Sequence, residues 1–523
     1  VALYDDYLYD SFPVCESHPD RLAGVAALFG VRPALPSRCR VLELGCGLGG
    51  NLVPLAVAYP ESSFVGVDQS APQIAIAAGE ARALGLRNIE LLAADILDLD
   101  DTIGRFDYVI CHGVYSWVPR AVQEKILRIC GERLNPNGVA FVSYNTLPGW
   151  HMRGMLRDML RLEVGTEGTP EERVARARGF LGLFADLPSD GGSLAQRWLK
   201  SEVDLLGRLS GKYVFYEHLV EQNEPRYFRQ FNDEAERAGL RYLGDAHFWT
   251  MVPERLGSEA AARVSAMANG IVEIEQYLDF LDPRLFRRSL LVRAETVVDR
   301  EVTWRRLRDV WVQGAVTAAS TTASLEPGVE ESFTTSGGAT LSASVPLIKA
   351  ALRILAEERP RGRRFTDLVA EARARVAAFE GEAGGGGAGE ARDEDCDALG
   401  SNLLGLYAQG YLDLCADAPP YAITPGERPC ANPLARLQAS RHERACTNFR
   451  HETAIVDTFD ESILMRADGT RTREELLDGV LEDVAAGTLV VEINDVPATE
   501  REALRPVLDH KLEAIARQAL FRS

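Results

Sequence analysis

The sequence has no run of 18 or more apolar residues, so no membrane-spanning helix is expected. It has no Cys-x-x-Cys pair. Its nine cysteines are odd in number and widely spaced, which argues against a zinc site or a disulfide framework and for reduced, buried thiols inside a cell. The first ten residues lack a basic start followed by an apolar run, so no signal peptide is expected and the expected compartment is the cytoplasm. Basic excess is missing too: 77 acids against 57 bases give a net charge of −20, which repels phosphate backbones, so no nucleic-acid partner is expected. Lysine is scarce among the bases, which reflects genomic base composition and says nothing of a substrate. No internal repeat is present. What remains is ordinary globular composition, 46% apolar and 26% charged, over 523 residues, enough for three or four domains.

From Arg40 to Thr146, short apolar runs suited to buried parallel strands (Arg40–Leu44, Phe64–Val67, Ile89–Leu92, Tyr108–Cys111, Val139–Tyr144) alternate with helix-length segments (Asn51–Ala58, Pro72–Leu84, Pro119–Leu134). This rhythm predicts an α/β fold with a doubly wound sheet. Residues 151–212 read as helical. Pro225–Ala238 reads as an amphipathic helix feeding a strand at Leu240–Gly244, and Ser289–Ala294 reads as another strand. Both late strands are expected to complete the first sheet. The spans that follow are an arm or lid at 1–36, an α/β domain at 37–298 with a helical insertion over about 151–285, and a linker with a hairpin at 299–345. A winged-helix-like domain of three helices and a strand is expected at 346–428, and a helical domain at 429–523. The Gly384–Gly387 run and the acidic Asp393–Asp397 read as a flexible loop. Arg361, Arg363 and Arg364, amid so much negative charge, read as a solvated hairpin and not a DNA contact.

The chemistry concentrates in Val41-Leu42-Glu43-Leu44-Gly45-Cys46-Gly47-Leu48-Gly49-Gly50-Asn51. A buried strand runs into a glycine turn and then a helix, whose free N–H groups face a bound molecule. Dinucleotide enzymes share such glycines. Glu43, two residues before the first glycine, and acids ending successive strands (Asp68, Asp95) add detail, with Asp107 opening the fourth. Such acids at the carboxyl edge of an open α/β sheet stand where its ligand binds.

This set resembles the class I S-adenosylmethionine-dependent methyltransferases, with their Rossmann-like seven-stranded sheet. Further stretches narrow the resemblance: Ser17–Ala23, His112–Pro119, Ser143–Met152, Tyr216–Leu219, Asn223–Pro225, Gln276–Leu281, Pro433–Ala439 and Asn448–Glu452. Together they look like bacterial methyltransferases with a methyltransferase regulatory domain, whose best-studied members are the rickettsial outer-membrane-protein lysine methyltransferases. The resemblance implies S-adenosylmethionine as cofactor and S-adenosylhomocysteine as product. It places Gly45, Cys46 and Gly47 about the methionine part, Asp68 on the ribose, Gln69 near the adenosine, Asp95 and Ile96 on the adenine, and His112 at the methyl group, with Glu43 and Asn51 also expected to bind the cofactor. No metal is expected.

Methyl transfer is a displacement at the sulfonium carbon, so alignment supplies much of the rate. A free lysine, with a pKa of roughly 10.4, is neutral in only about one molecule in 10³ near pH 7, and desolvation favours the neutral amine. An amine acceptor therefore makes a dedicated base optional, whereas a hydroxyl acceptor needs one, with His112, His151 and His218 the candidates. There is no Asn-Pro-Pro-Tyr tetrapeptide of the type that marks planar-nitrogen methylation. The acceptor site is expected at His112, Tyr115, Trp117, Tyr144, Asn145 and Trp150. The aromatics would form one channel beyond the fourth and fifth strands, closed in part by the arm with Tyr9, Ser11, His18 and Arg21. Glu217 and His218, adjacent in sequence, do not share a helical face and are not read as an acid–base pair. The expected activity is methylation of a protein or peptide amine, lysine first, by a chain that could form a homodimer. The alternatives are N- or O-methylation of a peptide natural product or small molecule, and a non-catalytic S-adenosylmethionine sensor.

Overall fold

The computed structural model describes residues 7–186, 192–314, 316–320, 324–335, 337–381 and 393–523. The first sheet holds seven main strands: β1 (Arg40–Leu44), β2 (Ser63–Asp68), β3 (Ile89–Ala93), β4 (Phe106–Cys111), β5 (Leu134–Leu147), β6 (Leu240–Asp245) and β7 (Phe286–Arg293). Their order is β3-β2-β1-β4-β5-β7-β6, with β7 antiparallel to both neighbours and the rest parallel. The four carboxyl-terminal residues of β1 are fully buried, as expected for a strand covered on both faces. Both late strands expected from the sequence lie in this sheet. The chain reverses direction across the sheet between β1 and β4, which opens a crevice at their carboxyl ends.

Local sequence accounts for the flanking helices. Ser70 caps the helix Ala71–Ala83 by accepting the Gln73 N–H. Capping boxes at Thr169/Glu172 and Ser193/Gln196 start the insertion helices Pro170–Gly182 and Leu194–Arg208. These pack with Trp150–Val164 around a separate small core that includes Leu156, Leu160, Leu181, Leu206 and Phe215. The insertion ends in one π-helical turn, Phe215–Leu219, a geometry that often marks functional sites. The helical stretch expected over Ser258–Leu281 is two helices, Ser258–Met267 and Ile271–Leu281. Gly270, at φ +109°, breaks it, because no right-handed helix admits that angle. In the second helix Glu275 and Asp279 hold the fully buried Arg287 of β7 at 2.7 and 2.8 Å, which fixes the helix on the sheet.

The hairpin expected within 299–345 is a three-stranded antiparallel sheet of Val316–Ala318, Glu331–Thr335 and Thr340–Ala343. Beyond it, helices Pro346–Glu357, Phe365–Glu380 and Asp393–Ala408 surround a sheet in which Trp311–Gly314 pairs with Arg363–Arg364 and Leu412–Cys415. Arg363 pairs with Glu358, and Arg364 lies 3.8 Å from Asp309. The run Gly384–Gly387 lies outside the described residues, whereas Asp393–Asp397 opens a helix where a flexible loop was expected. The last unit has its own core. It carries four helices, including Pro433–Ser440 and Arg501–Arg517, and two short hairpins, Ala445–Thr447 with Thr453–Ile455 and Glu492–Ile493 with Val496–Pro497.

Candidate active site

The glycine turn after β1 closes by two N–H donors, Gly45 and Cys46, on the Val67 carbonyl at 2.8 and 3.1 Å. Gly45 sits at φ +75°, and a Cβ there would fall 2.4 Å from Val114. Only glycine fits both demands. Gly50 is pressed by the arm instead: a Cβ would lie 2.3 Å from the Ser11 carbonyl oxygen. At the end of β2, Asp68 accepts the N–H groups of Gly47 and Ser70, each at 2.9 Å. This fixes the carboxylate and leaves lone pairs for further donors. Asp95 caps the short helix Ile96–Asp98 and stands exposed above buried Ile96. Gln69 is exposed, and the Cys46 thiol is buried and held neutral by that burial. Asp107 lies at the opposite edge of the sheet, accepting from Arg40 N–H and Asn135, and is structural.

Glu43 is 3% exposed. Its Oε1 accepts from Asn51 Nδ2 at 2.8 Å, while Oε2 has no partner among the described residues. Burial pushes the carboxyl up to about 8 against the pull of the Asn51 bond. A buried oxygen without a donor is costly unless a ligand supplies one, and the ammonium of S-adenosylmethionine would do so. The residues present therefore fit that cofactor: an orphaned carboxylate oxygen, a fixed Asp68 and a glycine turn.

His112 ends β4. Ser143 Oγ accepts the Gly113 N–H at 2.8 Å and lies 3.1 Å from His112 Nδ1, a hydrogen bond that orients the ring. Burial lowers the imidazole to about 4, which keeps it neutral.

The expected single aromatic channel is not what the fold builds. Tyr115 and Tyr144 belong to the core. Tyr144 stacks on Phe231 with ring centres 4.0 Å apart and bonds Ser289 Oγ at 3.1 Å. Tyr115 packs edge-on against the same Phe231 and donates to Glu234 at 2.7 Å. Both rings fill space under the helix Phe228–Arg237, with their hydroxyls satisfied. Trp117 and Trp150 form a separate edge-to-face pair at 6.2 Å, with Arg157 and Arg153 over them, and Trp150 is buried. Asn145 donates its N–H to Ser116 Oγ and its side-chain amide to Asn223, which ties β5 to the segment after the π turn. His151 bonds the Tyr227 hydroxyl on the outside, and His218 is buried with neither ring nitrogen partnered among the described residues, its pKa driven down to about 3 by burial.

After the π turn, Asn223 and Glu224 meet the ends of β4 and β5: the Glu224 N–H donates to the Ser116 carbonyl at 2.8 Å, and Asn223 accepts from Asn145. Glu217, partly exposed in the π turn, stands within electrostatic reach of Tyr9, Tyr213, Arg153 and Arg157, and its burial raises the carboxyl to about 7. The arm closes the same region. Tyr9 meets Tyr216 edge-on at 5.2 Å, Asp10 pairs with Lys212 at 2.6 Å, and Ser11 Oγ accepts the Gly50 N–H at 3.0 Å. His18 and Arg21, expected in the lid, turn the other way: His18 caps the helix Pro19–Leu28, and Arg21 pairs with Asp413 and Glu452. Among the described residues no group of three or more metal-ligating side chains occurs, and no helix is long and apolar enough to cross a membrane.

Three family models match the chain: "Methyltransferase domain" over 41–138, "Predicted methyltransferase regulatory domain" over 210–293, and "PKMT, C-terminal winged helix domain" over 427–520. The last falls on the span read from sequence as merely helical, and its wing-like hairpins were too short to be seen there. The chain is 32% identical to protein RP789 of Rickettsia prowazekii, over 97% of this chain and 90% of that one. It is 37% identical to RP028 of the same organism, over 46% of this chain and 96% of that one. The solved structure of PKMT2 from Rickettsia typhi in complex with AdoHcy superposes with a TM-score of 0.86 at 30% identity, covering 98% of this chain and 99% of that one.

Proposed function

This chain belongs to the PKMT family of S-adenosylmethionine-dependent methyltransferases, with Rickettsia typhi PKMT2, and from that premise we propose that it methylates lysine side chains of proteins with Glu217 receiving the amine proton. The observation that carries the proposal is the setting of Glu217: a partly exposed carboxyl raised to about 7 by burial, within electrostatic reach of Arg153, Arg157 and Tyr9, and next in the chain to Tyr216, which the arm's Tyr9 meets edge-on.

Bound S-adenosylmethionine supplies an electrophilic methyl group on a sulfonium. Glu43 Oε2 would take its ammonium and Asp68 its ribose hydroxyls, while Asp95 and Ile96 would receive the adenine. Neutral His112, oriented by Ser143, neither repels the sulfonium nor competes for a proton. A lysine enters as its cation, past Tyr9 and Tyr213, whose ring faces suit both its methylene stem and its charge. The Glu217 carboxylate attracts the ammonium and accepts one proton, which passes to solvent on its exposed side, leaving the Nζ lone pair free. A base near pH 7 is well matched to this task. Tyr9, Tyr213 and Glu217 thus replace Tyr115 and Tyr144 as the acceptor wall.

The test is labelled-methyl incorporation into the proteome of the same cells, with the modified atom located by mass spectrometry. Lysine Nζ is the expected acceptor, and label confined to small molecules or to hydroxyl oxygens overturns the reading. On the acceptor so found, Glu217→Gln should lower kcat by about 100-fold, with S-adenosylhomocysteine affinity within about twofold of the parent.

A further inference from the structure

The stretch Asn448-Phe449-Arg450-His451-Glu452, singled out in the sequence, lies in the C-terminal unit, 400 residues from the glycine turn, yet its histidine reaches that turn. The stretch forms the tip between strands Ala445–Thr447 and Thr453–Ile455. Asn448 Oδ1 accepts the N–H groups of Arg450 and Glu452 at 2.9 and 3.0 Å, and His451 sits at φ +62°. Arg450 grips Glu452 with both Nε and Nη2 at 3.1 Å, and Arg21 bridges Glu452 and Asp413. The tip is therefore rigid, and it drives the imidazole, 2% exposed, into the α/β domain.

There His451 Nε2 lies 2.6 Å from Asn51 Oδ1. The amide's orientation is fixed independently. Asn51 Nδ2 donates to Glu43 Oε1 at 2.8 Å, and Oδ1 accepts the Val14 N–H at 3.0 Å, so Oδ1 must face donors and His451 carries its proton on Nε2. Burial keeps the imidazole neutral, so this is a neutral donor at every working pH. A chain of two hydrogen bonds thus runs from the C-terminal unit through Asn51 to Glu43, whose other oxygen is unpartnered. Asn51 also meets Ser17 Oγ at 3.1 Å, so the arm shares this junction.

We infer that His451 is a positioning residue of the cofactor site: through Asn51 it holds Glu43 with Oε2 free for the methionine ammonium, so tight cofactor binding depends on the docked C-terminal winged helix. This uses the cofactor and not the acceptor, so it stands or falls separately from the role given to Glu217. Loosening of Asn51 lets Glu43 turn Oε2 onto the freed amide, and the ammonium then competes with an internal donor.

The test is calorimetry on the full chain with two ligands, S-adenosylhomocysteine and 5′-methylthioadenosine, which lacks the amino-acid part. His451→Ala should weaken S-adenosylhomocysteine about tenfold, the scale of one lost buried hydrogen bond, and leave methylthioadenosine within about twofold. His451→Gln, whose amide nitrogen falls near the lost Nε2, should recover S-adenosylhomocysteine to within about threefold. If His451→Ala does not fold, His451→Asn takes its place with the same expectation, since asparagine tolerates the left-handed backbone and its amide falls short of Asn51. Equal weakening of both ligands would show general loosening of the turn and overturn the inference, as would unchanged S-adenosylhomocysteine affinity or a glutamine variant no better than alanine.

Discussion

The cofactor crevice and the acceptor face share one sheet but are assembled differently. The first draws Glu43, the glycine turn, Asp68, Asp95 and Ile96 from successive strand–turn–helix units, joined to one another by backbone-to-carboxylate bonds such as Gly47 N–H on Asp68. The second joins the arm at Tyr9, the β4 and β5 ends, and a π turn at Phe215–Leu219, which meet only through tertiary contacts such as Asn145 with Asn223. A site built from local units is written contiguously and can be read. A site built across 200 residues is written in pieces whose meeting depends on the completed fold.

The sharpest way to test the cofactor side is its titration. Glu43, ordinarily near 4.5, is raised to about 8 by burial, with the nearby Asp68 charge adding to the effect. The folded free protein therefore favours the protonated carboxyl. That stability is present in full below about pH 4.5 and is lost as pH rises through 8, on the order of 5 kcal/mol in all for a group this buried. His112, His218 and His451, lowered to about 4, 3 and 3, act at the other end: their buried neutral forms lose stability as pH falls below about 6.5. Thermal melts from pH 5 to 9 should show both limbs. S-adenosylhomocysteine should lift the alkaline limb, and Glu43→Gln should flatten it. An alkaline limb that persists unchanged in Glu43→Gln would remove Glu43 from this role.

Next in size is Asp68→Ala. Its carboxylate holds the Gly47 and Ser70 N–H groups, so the variant loosens the turn as well as the ribose contact. Affinity for S-adenosylhomocysteine should drop by about 1–3 kcal/mol. Unlike the His451 variants, it should weaken methylthioadenosine too, because that ligand keeps the ribose. Calorimetry showing methylthioadenosine untouched would move the ribose off Asp68.

How far the sequence could be read follows the same division. The seven strands and the crevice with its glycine turn were legible because buried apolar runs, a glycine turn and strand-end acids are local signals. The acceptor wall was not, and the reason lies in β5. Successive side chains alternate across a strand, so Tyr144 cannot share a face with Ser143 and Asn145, and it is Ser143 that reaches His112 while Asn145 reaches Asn223. Glu217 gives no such local signal: it shares no helical face with its neighbour His218, and what a π turn presents to a distant arm depends on the completed fold. The winged helix at 427–520 was missed because its short hairpins look like helix-flanking loops.

The smallest expected effect separates the two sides most cleanly. If Tyr144 is core, its ring matters for packing on Phe231 and its hydroxyl for one buried bond to Ser289. Tyr144→Phe keeps the ring and deletes the bond. It should cost about 1 kcal/mol of stability in urea, because Ser289 loses its partner, while kcat on the protein acceptor stays within about twofold. Tyr144→Ala should cost about 3–5 kcal/mol by leaving a cavity, and any loss of turnover should track the unfolded fraction. Tyr9→Ala provides the opposite case: its partly exposed ring lies in the arm beside Glu217, so its loss should cost much less stability than Tyr144→Ala while raising KM for the protein acceptor. If Tyr144→Phe lowers kcat sharply in a fully folded enzyme, the phenol reaches the acceptor after all, and the division between a core tyrosine and an arm tyrosine is wrong.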